Sequence, residues 1–306
     1  MNAEPARRGF VYTAACGVAM GASDLVPGVS GGTMALVLGV YDRLIASLGA
    51  FTRKALWRAV RAGRWGDAWR AVDGRFLATL ALGIAVAIVT LAPLLGALLA
   101  SYRAAVYAFF FGLIAASAVS VLMRIRGDRA RPLLGAAVAA PATFVLVGLP
   151  TAVTPDAPWV LAASGLLAVS ALLLPGVSGA FVLVLLGKYE LVLDALSRAD
   201  LAVLAPLAAG MAVGLLAFSR VLAVLLRRHH DVTMGVLIGV LLGALRKVWP
   251  WQVDADGRTV AATPPGVAEL LGALLLAGAA GALVWGLQRA SREHASPPEG
   301  DRAREA

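Results

Sequence analysis

The sequence predicts an all-α polytopic membrane protein with an inverted-topology repeat, each half a re-entrant helical hairpin followed by three transmembrane helices. Three observations predict it. Of 306 residues, 60% are hydrophobic and 15% charged, and the mean hydropathy is +0.82. Soluble domains carry about a quarter charged residues, so a globule of this composition would lack polar side chains to cover its surface. Six apolar runs are long enough, or nearly so, to cross a hydrocarbon core of ~30 Å, which takes about 20 helical residues. Two further apolar stretches are each interrupted by the same pentapeptide, Pro-Gly-Val-Ser-Gly.

Taken in order, the first repeat occupies residues 1–151. It opens with an interrupted stretch over 10–50, broken at Pro27–Gly31. Arg7 and Arg8 ahead of Cys16 imitate a lipoprotein signal, but the apolar pattern continues past Cys16, which places it in the mature first segment. Residues 52–75 carry Trp57, Trp65 and Trp69 among basic side chains, the composition of an amphipathic helix lying on a membrane surface. Spans follow at Phe76–Ala100, Arg103–Met123 and Pro132–Thr151. The second repeat, 152–288, has an interrupted stretch over 159–196, broken at Pro175–Gly179, then spans at Leu201–Leu226, Thr233–Trp249 and Gly266–Leu287. Residues 289–306 are polar and read as a disordered cytoplasmic tail.

Sidedness follows from Lys and Arg, which accumulate on the cytoplasmic side. If each interrupted stretch enters and leaves on one face, 19 basic residues fall on that side: those of the N-terminus, 53–75, 124–131, 227–228 and the tail. Six fall on the other: Arg103, Lys188, Arg198, Arg246, Lys247 and Arg258. A single crossing by each would put the 53–75 and 124–131 loops outside. Both termini are therefore expected in the cytoplasm, and the net charge of +9 reads as topology and contact with anionic membrane lipids, not nucleic-acid binding. From Ser30 to Tyr41 the reach is roughly 16 Å at 1.5 Å per residue, half the hydrocarbon thickness, which favours a re-entrant hairpin with Tyr41 in the interfacial aromatic belt.

Pro27–Leu48 aligns without a gap on Pro175–Leu196 with nine identities in 22 positions, including Tyr41 with Tyr189. Three crossings separate the copies, so they enter from opposite faces, and in such repeats the substrate site lies near the midplane where broken helices meet. Pro27, Gly28, Pro175 and Gly176 break the incoming arms. Ser30 and Ser178 are placed to cap the next arms, and N–H groups at Gly31, Gly32, Thr33 and Gly179 would face an anion at a helix start. The bland alternative, small residues allowing close helix packing, explains one copy better than two. Asp24 is either a proton carrier or a structural partner of the hairpin. Arg220 either snorkels or serves the substrate, and Arg246 either anchors the outer interface or binds a phosphate head group. No His or carboxylate cluster has metal-ligand spacing, and one cysteine excludes a Cys-based metal site, so no metal and no cofactor is expected.

Ser23-Asp24-Leu25-Val26-Pro27-Gly28-Val29-Ser30-Gly31-Gly32-Thr33, the second Pro175-Gly176-Val177-Ser178-Gly179, and His230-Asp231 followed by Gly243-Ala244-Leu245-Arg246-Lys247-Val248-Trp249-Pro250-Trp251 resemble the PopT family of bacterial undecaprenyl-phosphate translocases. The resemblance covers nearly the whole chain. It implies a flippase of the bacterial inner membrane that returns undecaprenyl phosphate to the inner leaflet for cell-wall synthesis. Inward movement of an anion opposes an inside-negative potential, a cost that proton co-transport would offset. Ala180 and Phe181 replace the first copy's Gly-Thr, so the second half-site is expected to hold phosphate less closely. The main alternative is an integral polyprenyl-diphosphate phosphatase, and another is a transporter of a different organic anion. Hydrolysis needs a general base or nucleophile and clamps on the phosphate, and the hairpin tips offer Gly there, so a non-enzymatic transporter is the preferred reading.

Overall fold

A computed structural model of the chain describes residues 9–26, 29–123, 125, 129–255, 258–261 and 265–293. Pro27 and Gly28, expected to break the first arm, and residues 294–306 of the expected tail lie outside the described residues.

The first interrupted stretch forms α1 (Phe10–Asp24), α2 (Gly31–Val37) and α3 (Tyr41–Ala50). α4 (Lys54–Arg61) and α5 (Trp65–Ala71) lead into α6 (Gly74–Ser101), α7 (Arg103–Leu122) and α8 (Ala130–Leu146). The second stretch forms α9 (Pro158–Leu172), α10 (Gly179–Leu185) and α11 (Tyr189–Arg198). After it come α12 (Leu201–Arg228), α13 (His230–Ala244) with a 3-10 turn at Leu245–Val248, and α14 (Val267–Glu293). The lengths echo: 15, 7 and 10 residues in α1, α2 and α3 recur in α9, α10 and α11, and α6 and α12 both have 28. Packing echoes too, with α1 on α6 and α9 on α12. The remaining helices pair across the halves, α8 with α13 and α7 with α14.

Among the described residues, α6, α7, α12 and the 267–286 part of α14 are each long and apolar enough to cross a membrane, and α2 with α3 passes the same test as a pair bent by 118°. Over half of the apolar window of α7 (56%) is buried, against 11% in α6 and in α14. α7 is thus enclosed in the bundle, while α6 and α14 turn most of their apolar surface outward, as helices facing lipid do.

Close backbone approach holds the pairs together. Gly235, Gly239 and Gly243 recur every four residues on α13, and a Cβ added at them would lie 2.1, 2.5 and 2.4 Å from the carbonyl oxygens of Pro132, Ala136 and Ala140 on α8. Such small-residue stripes let membrane helices gain dispersion energy that lipid alone does not supply. Arg43, charged within an apolar segment, reaches Asp73 at 2.6 Å and stacks 4.3 Å from the Phe76 ring centroid, tying α3 to the start of α6.

Several expectations are corrected. The basic segment 52–75 is two short helices and not one, because the chain turns at Ala62-Gly63-Arg64 with Gly63 at φ +67°. Its three tryptophans are exposed while Leu56, Ala59 and Ala68 pack beneath. The last span continues into the expected tail, since α14 is helical to Glu293. An antiparallel pair, β1 (Gln252–Ala255) and β2 (Arg258–Ala261), follows Trp251, an addition to the all-α expectation. Tyr41 is not in an interfacial belt: it is 1% exposed, because its hydroxyl has a partner inside the bundle.

Candidate functional site

Both pentapeptides stop a helix and start another, and the fold brings the two interruptions into contact. α9 ends at Leu172, which leaves the carbonyls of Leu173 and Leu174 without the next turn of helix. The first interruption supplies partners. The Tyr41 hydroxyl donates to the Leu173 carbonyl at 2.7 Å, and the Gly176 N–H donates to Thr33 Oγ1 at 2.9 Å. Ser30 Oγ lies 3.5 Å from the Leu174 carbonyl oxygen, a distance at the limit of a hydrogen bond. Ser30 and Thr33 are fully buried, and Pro175 and Gly176 are buried beside them. Gly176 has φ +89°, a conformation glycine adopts at no steric cost, and it aims its N–H across the contact.

The cross-over is one-sided. Thr33 and Tyr41 correspond to Phe181 and Tyr189 in the second copy, and there Phe181 is half-buried with the Lys247 ammonium 4.9 Å from its ring centroid, while Tyr189 is 38% exposed. Polar side chains of the first interruption therefore satisfy the backbone of the second. The Ala-Phe that replaces Gly-Thr in the second copy marks this asymmetry.

The two helix starts differ as well. At α2, Ser30 is the N-cap and its Oγ accepts the Gly32 N–H at 3.2 Å, while Asp24 Oδ1 accepts the Gly31 N–H at 2.7 Å. The N–H groups of Gly31 and Gly32 are thus both taken up, by the Asp24 carboxylate and the Ser30 hydroxyl. Asp24, from the end of α1, already supplies a carboxylate there, the favoured charge at a helix N-terminus. Asp24 keeps an exposed surface. At α10, Ser178 occupies the same N-cap position but makes no side-chain cap hydrogen bond, is half-buried, and precedes a buried Gly179.

The other candidates stand apart from this contact. Arg246 is half-buried at the 3-10 turn, donates to the Phe144 carbonyl at 3.0 Å, and stacks 4.6 Å from the Phe144 ring centroid. A Cβ on Gly148 would lie 2.1 Å from its Nη1, so the guanidinium fills the space beside α8's last carbonyls and latches α13 to α8. Arg220 lies on the exposed face of α12, where a long side chain can snorkel. Sequence reasoning missed two residues. Tyr41 was visible as a repeat identity, but its role as a bridge was not. Lys188, counted as an outer charge, is 1% exposed, pairs with Asp156 and donates to the Thr154 carbonyl at 2.6 Å, pinning the 151–157 loop to the α10–α11 turn.

Paired apolar helices crossing a bilayer, with two interrupted segments meeting in their interior, define a multi-pass helical membrane protein of the broken-helix kind. A family model described as VCA0040-like, undecaprenyl phosphate translocase-like, matches residues 20–263, and the chain belongs to that family. It is 39% identical over 250 residues to a protein of Vibrio cholerae serotype O1 named polyprenyl-phosphate transporter, covering 81% of this chain and 80% of that one. A Staphylococcus aureus protein of the same name is 31% identical over 253 residues, covering 76% of this chain and 84% of its own length. No solved structure matches the chain.

Proposed function

We propose that this chain is a translocase of undecaprenyl phosphate or a closely similar polyprenyl phosphate in the bacterial inner membrane, and that it moves the lipid between leaflets without cleaving it. The observation that carries the reading is the contact between the two interruptions, Thr33 with Gly176 and Tyr41 with Leu173, in the interior of the bundle. Non-helical backbone is tolerated at membrane depth only where protein or a polar cavity protects it. The names of the relatives point to the same substrate class.

In this reading the chain is two repeats, 1–151 and 152–288, of opposite topology, with both termini cytoplasmic. The echoing helix lengths and the 19-to-6 division of basic residues support it. α1, with 15 residues, and α3, with 10, are each shorter than the roughly 20 residues that cross a bilayer, which supports hairpins that enter and return on one face. Ser30, Gly31, Gly32 and Thr33 form one phosphate half-site and Ser178 with Gly179 the other. Asp24 is the stand-in anion at the first, so the lipid phosphate must displace a carboxylate to reach Gly31. Protonating Asp24 weakens its hold on that N–H and lets the phosphate in. A proton carried inward also offsets the membrane potential, which opposes an entering anion by about 2.3 kcal/mol per charge per 100 mV.

The test is a reconstituted assay of polyprenyl-phosphate movement between leaflets, with inorganic phosphate measured in parallel. Protein-dependent movement with no phosphate release is the expected result. Steady phosphate release abolished by Ser30→Leu with Ser178→Leu would replace the translocase by a phosphatase, since only an enzyme engages a transition state for P–O cleavage.

A further inference from the structure

At the end of the bundle where α12 finishes and α8 and α13 begin, the chain gathers charge that the crossed interruptions do not use. Arg227 and Arg228 close α12, His229 turns into α13, His230 and Asp231 open α13, and Arg131 stands in the first turn of α8. With Pro132 and Val232 they line a concave pocket of about 400 Å³.

The described lining carries more positive than negative charge. A cation in the first turn of a helix faces the positive end of the helix dipole, and Arg131 is so placed. Arg227 and Arg228 suit the C-terminal end of their own helix but are brought beside two N-terminal ends. Among the described residues the carboxylate lining the pocket is Asp231, 3.2 Å from His230 Nδ1, against three arginines. Neither Arg129 nor His229, the N-cap residues of α8 and α13, caps its helix through its side chain. The starts of α8 and α13 are held close, because a Cβ at Gly235 would lie 2.1 Å from the Pro132 carbonyl oxygen. Basic residues that serve topology alone need only reach the cytoplasmic side, with no need to converge from three helices as Arg131, Arg228 and His230 do.

We propose that this pocket is a second binding site, for the phosphate monoester head group of a lipid, separate from the crossed interruptions; the choice of lipid rests on the function proposed above. A monoester presents three terminal oxygens and close to two charges, which match several Arg forks, whereas a phosphodiester presents two oxygens and one charge. Pro132 and Val232 supply apolar wall for the first carbons of the chain. The pocket volume is within the range of about 300–1,000 Å³ usual for small-ligand sites. On the charge-based topology it opens to the cytoplasm, where it would receive the head group after passage.

The test uses full-length protein carrying Ser30→Leu and Ser178→Leu, so that the interruptions are blocked, in phosphatidylcholine nanodiscs titrated with farnesyl monophosphate. Adding Arg131→Gln with Arg228→Gln is expected to weaken binding by about tenfold or more, while Arg58→Gln with Arg61→Gln, an equal loss of charge, leaves it within about twofold. Arg131→Lys with Arg228→Lys, which keeps charge but loses the forks, should fall between them, and thermal unfolding should not distinguish the variants. Inorganic phosphate should compete with the probe and phosphatidylglycerol should not. The site is overturned if the pocket variant binds like its parent, if the α4 variant loses as much, or if phosphatidylglycerol competes as well as phosphate. Lipid movement is measured separately in protein with Ser30 and Ser178 intact: pocket-dependent binding with no movement there would keep this site and remove the translocase. Movement with pocket-independent binding would do the reverse.

Discussion

Thr33→Val tests the contact between the interruptions with the smallest change. The substitution replaces Oγ1 with a methyl group and leaves the Gly176 N–H without its partner at a site where Thr33 is fully buried and Gly176 is enclosed. Orphaning a buried donor costs about 1–3 kcal/mol, or roughly five- to 150-fold in the folded-to-unfolded ratio. Tyr41→Phe orphans the Leu173 carbonyl in the same way and should cost a similar amount. Because both bonds clamp the same two segments, a double-mutant cycle should show coupling of about 0.5–3 kcal/mol. The assay is equilibrium unfolding of purified protein in one detergent, with Thr90→Val as control. Thr90 donates within its own helix to Val86 at an exposed position, so its loss should stay within about 0.5 kcal/mol. If Thr33→Val costs no more than Thr90→Val, or if the cycle shows no coupling, the interruptions do not hold each other and the argument fails.

Three further outcomes follow from the structure. Gly239→Leu should separate α8 from α13 and lower thermal stability by several degrees or abolish insertion, whereas Gly272→Leu, with open space around it, should be tolerated; equal effects would deny the glycine stripe its role. Asp24→Asn keeps an oxygen for the Gly31 N–H but cannot carry a proton, so it should remove the response of transport to a pH gradient and leave substrate binding. An unchanged response would make Asp24 purely structural. In a Cys16→Ser background, Arg64→Cys should label from the cytoplasm and Asp156→Cys from outside, and labelling from one face would end the inverted topology.

Much of the architecture was legible because its causes are local. Runs of apolar residues, the arginines between them and the two Pro-Gly-Val-Ser-Gly segments placed most helices within a few residues. The meeting of the interruptions followed from the repeat. What lay hidden depended on partners distant in sequence. Tyr41 has the residue type of an interfacial belt, and only the orphan carbonyl of Leu173, set free by the second break, draws it inside. Of the two roles open to Asp24 in the sequence, the Gly31 N–H that it accepts at the start of α2 supplies the structural partnership, across a break that spacing alone does not resolve. Arg246 was weighed as anchor or head-group ligand, but Gly148 clears a place for it against α8, a fit that no residue near it in sequence announces. The turn at Gly63 split the tryptophan-rich segment because its apolar residues could not form one continuous stripe across Gly63 and still bury Leu56 and Ala68.

The function proposed above puts a phosphate half-site on each interruption, so the contact between them must part and re-form as the lipid phosphate passes. That requirement is tested most directly by locking them: Ser30→Cys with Leu174→Cys, in the Cys16→Ser background, joined by a short thiol cross-linker in proteoliposomes that report polyprenyl-phosphate movement between leaflets. Ser30 Oγ and the Leu174 carbonyl oxygen are 3.5 Å apart, so the two segments are within reach of such a linker. The account predicts that movement stops on cross-linking, returns when a cleavable linker is cut, and persists in either single-cysteine protein. Undiminished movement in the fully cross-linked protein would contradict it.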